Sequence, residues 1–204
     1  YERVMPGPDY VDSIINFYRV YSGVNEKSEI AVKRFLETII KTSSYPLTKL
    51  SSTNATEMAK VLENSYRAMN IAFMVEWSRF AEEAGVDIYS VINAIRLRPT
   101  HNNMMFPGIG VGGYCLTKDS LLASWSKKEI FEKGKHLQQS ESAVNINDQM
   151  PFFAYQYLKK NTDVEKKRVI GLGVSYRGDV GDTRFSPVER LYTYLSKDQC
   201  KISC

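Results

Sequence analysis

The sequence predicts a mainly helical protein whose two ends are α/β. Three observations carry that expectation. An unbroken helical pattern runs over residues 55–84, with polar cap residues before it and Gly85 after it. A short strand and a helix precede it, over residues 18–41. A strand, a loop, a helix and a strand succeed one another over residues 168–204, the order that opens a doubly wound parallel sheet.

Each element follows from local chemistry. Residues 1–16 read as loop, broken by Pro6, Gly7 and Pro8. Tyr18-Arg19-Val20-Tyr21-Ser22-Gly23 reads as a strand that ends at glycine. The helix over residues 28–41 sets Ile30, Phe35, Leu36, Ile39 and Ile40 on a helical period. Residues 47–50 read as a second short strand. Ser52-Thr53-Asn54-Ala55-Thr56-Glu57 supplies cap side chains for the long helix. Met58, Val61, Leu62, Met69, Phe73 and Phe80 share one side of it. At ~1.5 Å per residue this helix spans about 45 Å. That is more than a small domain needs, so part of it is expected to pack against a partner subunit.

A short helix over residues 88–97 closes at Pro99. Residues 99–115 are irregular and glycine-rich. Helices are expected over 118–131 and 137–160, with Pro151 early in a new helix or kinking a longer one. Arg168-Val169-Ile170-Gly171-Leu172-Gly173-Val174 reads as a buried parallel strand, residues 186–195 as a helix and 199–204 as a second strand.

Composition narrows the function. A net charge of +4 without a concentrated basic stripe excludes an ordinary nucleic-acid binder. With 43% hydrophobic and 25% charged residues, a globular chain rather than a disordered one is expected. No apolar run approaches the ~20 residues of a membrane span, and no signal peptide is read at the start. Cys115, Cys200 and Cys204 are odd in number and dispersed, which argues against a disulfide framework and for a reducing compartment, the cytoplasm. With His101 and His136 alone and no CxxC or HExxH, no metal site is expected. The chain starts at Tyr1 and stops within what reads as a strand, so a segment of a longer polypeptide is expected.

Four stretches carry chemistry. In Pro107-Gly108-Ile109-Gly110-Val111-Gly112-Gly113-Tyr114-Cys115-Leu116-Thr117-Lys118-Asp119, the glycines admit backbone shapes closed to other residues and let a ligand approach the main chain. Cys115 follows at or just before the start of a helix, where the helix N-terminus and the Lys118 ammonium both favour thiolate. Asp119 could orient or deprotonate water. On the long helix, Glu57, Lys60 and Asn64 share a face; pattern alone reads them as a solvated stripe. In Tyr176-Arg177-Gly178-Asp179-Val180-Gly181-Asp182-Thr183-Arg184-Phe185-Ser186-Pro187, the loop lies at the carboxyl end of a strand. Arg177 and Arg184 there suit phosphates. Ser186 is the cap and Pro187 the first residue of the next helix. Glu2-Arg3-Val4-Met5-Pro6-Gly7 is, by itself, a charged loop.

In this order the four stretches resemble the UDP-glucose/GDP-mannose dehydrogenase family over nearly the whole chain. The glycine-loop Cys-x-x-Lys-Asp is the most specific element, followed by the DTRxSP element at residues 182–187. Glu57, Lys60 and Asn64 match the family's E-x-x-K-x-x-x-N helix, and residues 144–151 its VN…MP stretch. The resemblance implies a central helical domain, like the C-terminal domain of 6-phosphogluconate dehydrogenase, at residues 51–162. It implies the end of an NAD-binding Rossmann domain at 1–50 and the start of a UDP-binding Rossmann-like domain at 163–204. It further implies a homodimer through the long helix.

The family reaction oxidises the C6 alcohol of a UDP-sugar to a carboxylate, with NAD as the cofactor, in two hydride transfers. The resemblance makes Cys115 the nucleophile and Lys60 the oxyanion stabiliser. Asn64 and Asp119 handle water, and Glu2 serves the acid–base steps. Gly110, Gly112, Gly113, Tyr114 and Arg177 line the sugar-nucleotide, with Arg98 reaching a neighbouring subunit's site. Lys118 and Arg184 face the cofactor. The segment alone is expected to form no NADH. Tyr114 stands where relatives have serine or histidine, Thr117 where many have proline, and Arg177 where many have lysine. Lys118-Asp119 resembles the UDP-glucose branch and residues 2–7 the UDP-N-acetylhexosamine branch, so the sugar stays open. Two alternatives are a non-catalytic dimerisation module and a hydroxy-acid dehydrogenase sharing the helical domain.

Overall fold

A computed structural model describes residues 4–5, 7–131 and 134–203. The chain forms two compact units, one made of residues 1–63 with 179–181 and the other of 64–178 with 182–204.

The first unit holds α1 (Tyr10–Ile15), β1 (Val20–Tyr21), α2 (Glu26–Glu37), β2 (Thr48–Lys49) and the start of α3 (Thr53–Ala84). β1 and β2 are parallel, with Val20 opposite Thr48 and Tyr21 opposite Lys49. α2 starts on a capping box: the Asn25 carboxamide oxygen accepts from the Ser28 N–H at 2.9 Å, and the Ser28 hydroxyl accepts from the Asn25 N–H at 3.1 Å. It ends at Glu37, four residues before the expected Lys41, with Thr38 donating its hydroxyl to the Phe35 carbonyl at 2.7 Å.

α1 corrects the expectation that residues 1–16 are loop. Pro8 precedes this helix rather than interrupting it. Arg19 donates to the Ser13 carbonyl at 2.7 Å, and Ser13 donates its hydroxyl to the Tyr10 carbonyl at 2.8 Å. Arg19 and Ser13 are both buried, so tertiary contact fixes a helix too short to announce itself by periodicity.

The second unit holds the rest of α3, α4 (Ile88–Arg96), a 3₁₀ turn (Pro99–His101), α5 (Cys115–Ser126), α6 (Gln138–Asn161), β3 (Arg168–Ile170), α7 (Pro187–Lys197) and β4 (Lys201–Ser203). Within this unit, mostly small residues form the buried face of α3: Asn64, Ser65, Ala68, Ala72, Val75 and Ala81, with Met74 the one large side chain among them. They let α6 come close. Asn147 on α6 donates its carboxamide to the Ala68 carbonyl at 3.0 Å. The large apolar residues Tyr66, Met69, Phe73, Trp77 and Phe80 face outward, with Phe73 55%, Trp77 46% and Phe80 60% exposed.

α5 begins three residues earlier than expected, at Cys115, and its continuation Lys127–Phe131 is a π turn. α6 is one helix with Pro151 buried inside it. Because proline has no N–H, the Asn147 carbonyl lacks its usual helical donor. That carbonyl oxygen lies 3.1 Å from where a side chain on Gly110 would begin.

β3 and β4 are parallel, with Arg168 opposite Lys201 and Ile170 opposite Ser203. β3 stops at Ile170, short of the expected Val174. The Tyr192 hydroxyl fills the space at Gly171, 1.4 Å from where a Cβ would sit. α7 starts as expected, with Ser186 as cap, accepting from the Val188 N–H at 3.3 Å, and Pro187 in the first turn. α6 is tied to the end of α7 by Tyr155, which donates to Asp198 at 2.7 Å, and by Lys159, which donates at 3.1 Å. Among the described residues no helix is long and apolar enough to cross a membrane.

Candidate active site

The glycine loop delivers Cys115 to the first position of α5, where it is free and exposed. Two contacts set that junction. Gly113 has φ +78°, and its N–H donates to the Arg184 carbonyl at 2.9 Å. Thr117 donates its hydroxyl to the Gly113 carbonyl at 2.9 Å. Glycine is required here on two counts. Gly113 takes a left-handed backbone. A Cβ on Gly112 would lie 2.4 Å from the Tyr176 Cβ and 2.9 Å from the Phe185 carbonyl oxygen. The room freed by Gly112 and Gly113 is thus taken up by Tyr176 and the loop before α7.

Behind Cys115, two consecutive polar pairs join α3 to α5. Asn64 donates its carboxamide to Asp119 Oδ2 at 2.6 Å. Ser120 donates to Ser65 Oγ at 3.1 Å. All four residues are buried, Asn64 at 6% and Asp119 at 5% exposure. The other carboxylate oxygen of Asp119 accepts from the Lys118 ammonium. That hydrogen bond holds Lys118 above its ordinary value, against burial, with the Asp119 charge adding to it.

Over the start of α5 lies the Tyr114 ring. The Lys118 ammonium is 5.1 Å and the Arg184 guanidinium carbon 5.7 Å from its centre. Arg184 grips both Asp182 oxygens, its Nη2 reaching Oδ2 at 2.7 Å and its Nε reaching Oδ1 at 2.9 Å. These bonds, with the Arg184 N–H to Asp182 Oδ1, pull the Asp182 carboxyl from 3.8 down to about 2 and raise Arg184. A cavity of about 500 Å³ opens beside Tyr114, lined also by Arg184, Phe185, Ser186, Glu189, Arg190 and Thr193. Arg190 is paired with Asp148 at 3.1 Å.

The structure therefore brings together Cys115, Asn64, Asp119, Lys118, Tyr114, Arg184 and the glycines 110, 112 and 113. Arg98 is exposed just before the 3₁₀ turn, and Arg177 is exposed in its loop. Lys60 is half-buried on α3 and belongs to the first unit. Glu2 lies outside the described residues. Among the described residues no group of three or more His, Cys, Asp or Glu side chains could hold a metal ion.

Sequence reasoning missed Ser65, Ser120 and Tyr176. A signal existed for the serines: each follows a residue already singled out, Asn64 or Asp119, by one position. Tyr176 opens the third stretch but received no role of its own, because its packing on the glycines arises only in the fold.

Residues 54–149 match the UDP-glucose/GDP-mannose dehydrogenase family, central domain. The chain is 34% identical over 203 residues to a UDP-N-acetyl-D-mannosamine dehydrogenase of Methanocaldococcus jannaschii, covering 100% of this chain and 44% of that protein. It is 35% identical over 193 residues to the enzyme of that name from Pyrococcus horikoshii, covering 91% of this chain and 43% of that one. The solved structure of a UDP-D-ManNAc dehydrogenase from Pyrococcus horikoshii superimposes with a TM-score of 0.77 at 29% identity, covering 98% of this chain and 46% of that chain. The chain thus spans under half the length of these relatives. The fold and these matches agree: over residues 54–149 the chain carries the central domain of the UDP-glucose/GDP-mannose dehydrogenase family.

Proposed function

We propose that this chain holds the catalytic centre of an NAD-dependent dehydrogenase that oxidises C6 of a UDP-N-acetylhexosamine to a carboxylate. The observation that carries the reading is an exposed cysteine at the first position of α5, backed by the buried Asn64–Asp119 pair. The names of the relatives, UDP-N-acetyl-D-mannosamine dehydrogenases, support the sugar class. In this reading residues 1–50 end a cofactor-binding domain, 51–162 form the central domain and 163–204 begin a UDP-binding domain.

NAD, when bound, would supply the hydride acceptor for both oxidations. The residues present fit such a group, because Arg184 lines a cavity of about 500 Å³ beside Tyr114, the Lys118 ammonium lies at the same Tyr114 ring, and both cations suit an anionic diphosphate. The chain's own residues do the rest. As the C6 alcohol is oxidised, Glu2 takes part in moving the hydroxyl proton. The Cys115 sulfur adds to the resulting aldehyde, forming a C–S bond and placing the negative charge on oxygen. Lys60 stabilises that oxyanion. Loss of the second hydride from the thiohemiacetal leaves a thioester on Cys115. Water held by Asn64 and Asp119 attacks the thioester carbon, the C–S bond breaks, and the carboxylate leaves the thiol regenerated. Gly110, Gly112, Gly113 and Arg177 contact the sugar-nucleotide, and Arg98 reaches a neighbouring subunit. A free thiol at the centre of the chemistry fits the reducing cytoplasm.

The exposed side of α3 supports a homodimer. Tyr66, Met69, Phe73, Trp77 and Phe80 recur at spacings of three and four, the seam of two packed helices.

The test is NADH formation by the complete polypeptide carrying this chain, across a panel of UDP-sugars. Two NADH per UDP-N-acetyl-D-mannosamine consumed is expected. No NADH with any UDP-sugar would overturn the reading.

A further inference from the structure

The Tyr114 ring is shared by two tethered cations. Lys118 comes from α5 and is held by Asp119. Arg184 comes from the loop before α7 and is held by Asp182 at 2.7 Å. Both lie at the Tyr114 ring, 5.1 Å and 5.7 Å from its centre, and Phe185 leans against the same ring at 6.2 Å. Two like charges repel each other. The electron-rich face of an aromatic ring offsets that repulsion and draws each cation to it. The next residue in the chain is Cys115.

We propose that Tyr114 is a positioning residue: its ring gathers Lys118 and Arg184 beside the Cys115 sulfur and so sets the field that an anionic group meets there. A side chain without a ring face could not do this. The inference deepens the proposed function, in which the anion is the diphosphate of the dinucleotide, but the field exists without it.

The experiment is alkylation of Cys115 in the 204-residue chain by two probes of similar size, anionic iodoacetate and neutral iodoacetamide. Mass spectrometry of the peptide holding Cys115 keeps the other cysteines out of the reading. Both probes meet the same sulfur, so the ratio of their rates reports the local field rather than access or thiol ionisation. The ratio is expected to fall about two- to fivefold in Tyr114→Leu and to persist in Tyr114→Phe. Added salt should shrink it in the parent chain. An unchanged ratio in Tyr114→Leu overturns the proposal, as does an equal fall in Tyr114→Phe. Because the readout needs no turnover, failure of the complete enzyme to oxidise a sugar would sink the proposed function and leave this inference standing.

Discussion

Asn64 and Asp119 meet at 2.6 Å between α3 and α5, both buried, one residue away from a second buried pair, Ser65 and Ser120. Together the two pairs hold α3 and α5 in one register. Asp119→Ala strands the Asn64 carboxamide in a buried place and frees Lys118. A loss of about 1–3 kcal/mol is expected, read as a lower urea midpoint. Unchanged stability would mean that water or another group satisfies Asn64.

Ser120→Ala removes the donor of the second pair. It should cost about 1 kcal/mol, and combining it with Ser65→Ala should cost less than the two single losses added together. Full additivity in a double-mutant cycle would show that the two hydroxyls do not act on each other.

Gly112→Ala forces a methyl against Tyr176 and the Phe185 carbonyl, at 2.4 Å and 2.9 Å. Backbone cannot yield as a flexible side-chain tip can, so about 1–3 kcal/mol of destabilisation is expected. Gly108→Ala meets nothing within 4 Å and should be near neutral. Thermal unfolding of the two variants decides the comparison.

Asp182 gives the pH dependence. Its carboxyl is pulled from 3.8 to about 2 by the Arg184 side chain first and the Arg184 N–H second. A depressed carboxylate stabilises the fold above its ordinary value, and that contribution is lost as pH falls from about 4 through about 2. The midpoint of the Asp182 carboxyl resonance should sit near 2 and rise toward 3.8 in Arg184→Gln. A midpoint already near 3.8 in the parent chain would dissolve the pair in solution.

The exposed side of α3 predicts association. Phe73→Glu together with Trp77→Lys should turn a dimer into a monomer by size-exclusion chromatography with light scattering, because charge enters the middle of the apolar seam. A parent chain that stays monomeric at high concentration would remove the seam as an interface.

Much of the fold was legible because its signals are local. Gly85 ends α3 with φ +67°, and Ser186 caps α7 ahead of Pro187, both as the sequence implies. Thr117 was legible only as a departure from proline, while its bond to the Gly113 carbonyl needed the folded turn. α1 was not legible, because six residues hold too little periodicity and their helix depends on a buried Arg19. At the site, Cys115, Lys118 and Asp119 stood out because glycines, a thiol and charges rarely crowd together. The partners of that group, Asn64 across 55 positions and Arg184 in the loop before α7, acquire their geometry only through packing.

The most direct test of the account is the Cys115→Ser variant of the complete polypeptide, supplied with UDP-N-acetyl-D-mannosamine and NAD and assayed for the sugar acid by mass spectrometry. The account predicts that acid formation falls to background while the circular dichroism spectrum is unchanged, because no thioester can form. Acid formation at the parent rate would contradict the assignment of Cys115 as nucleophile, and with it the mechanism built on it.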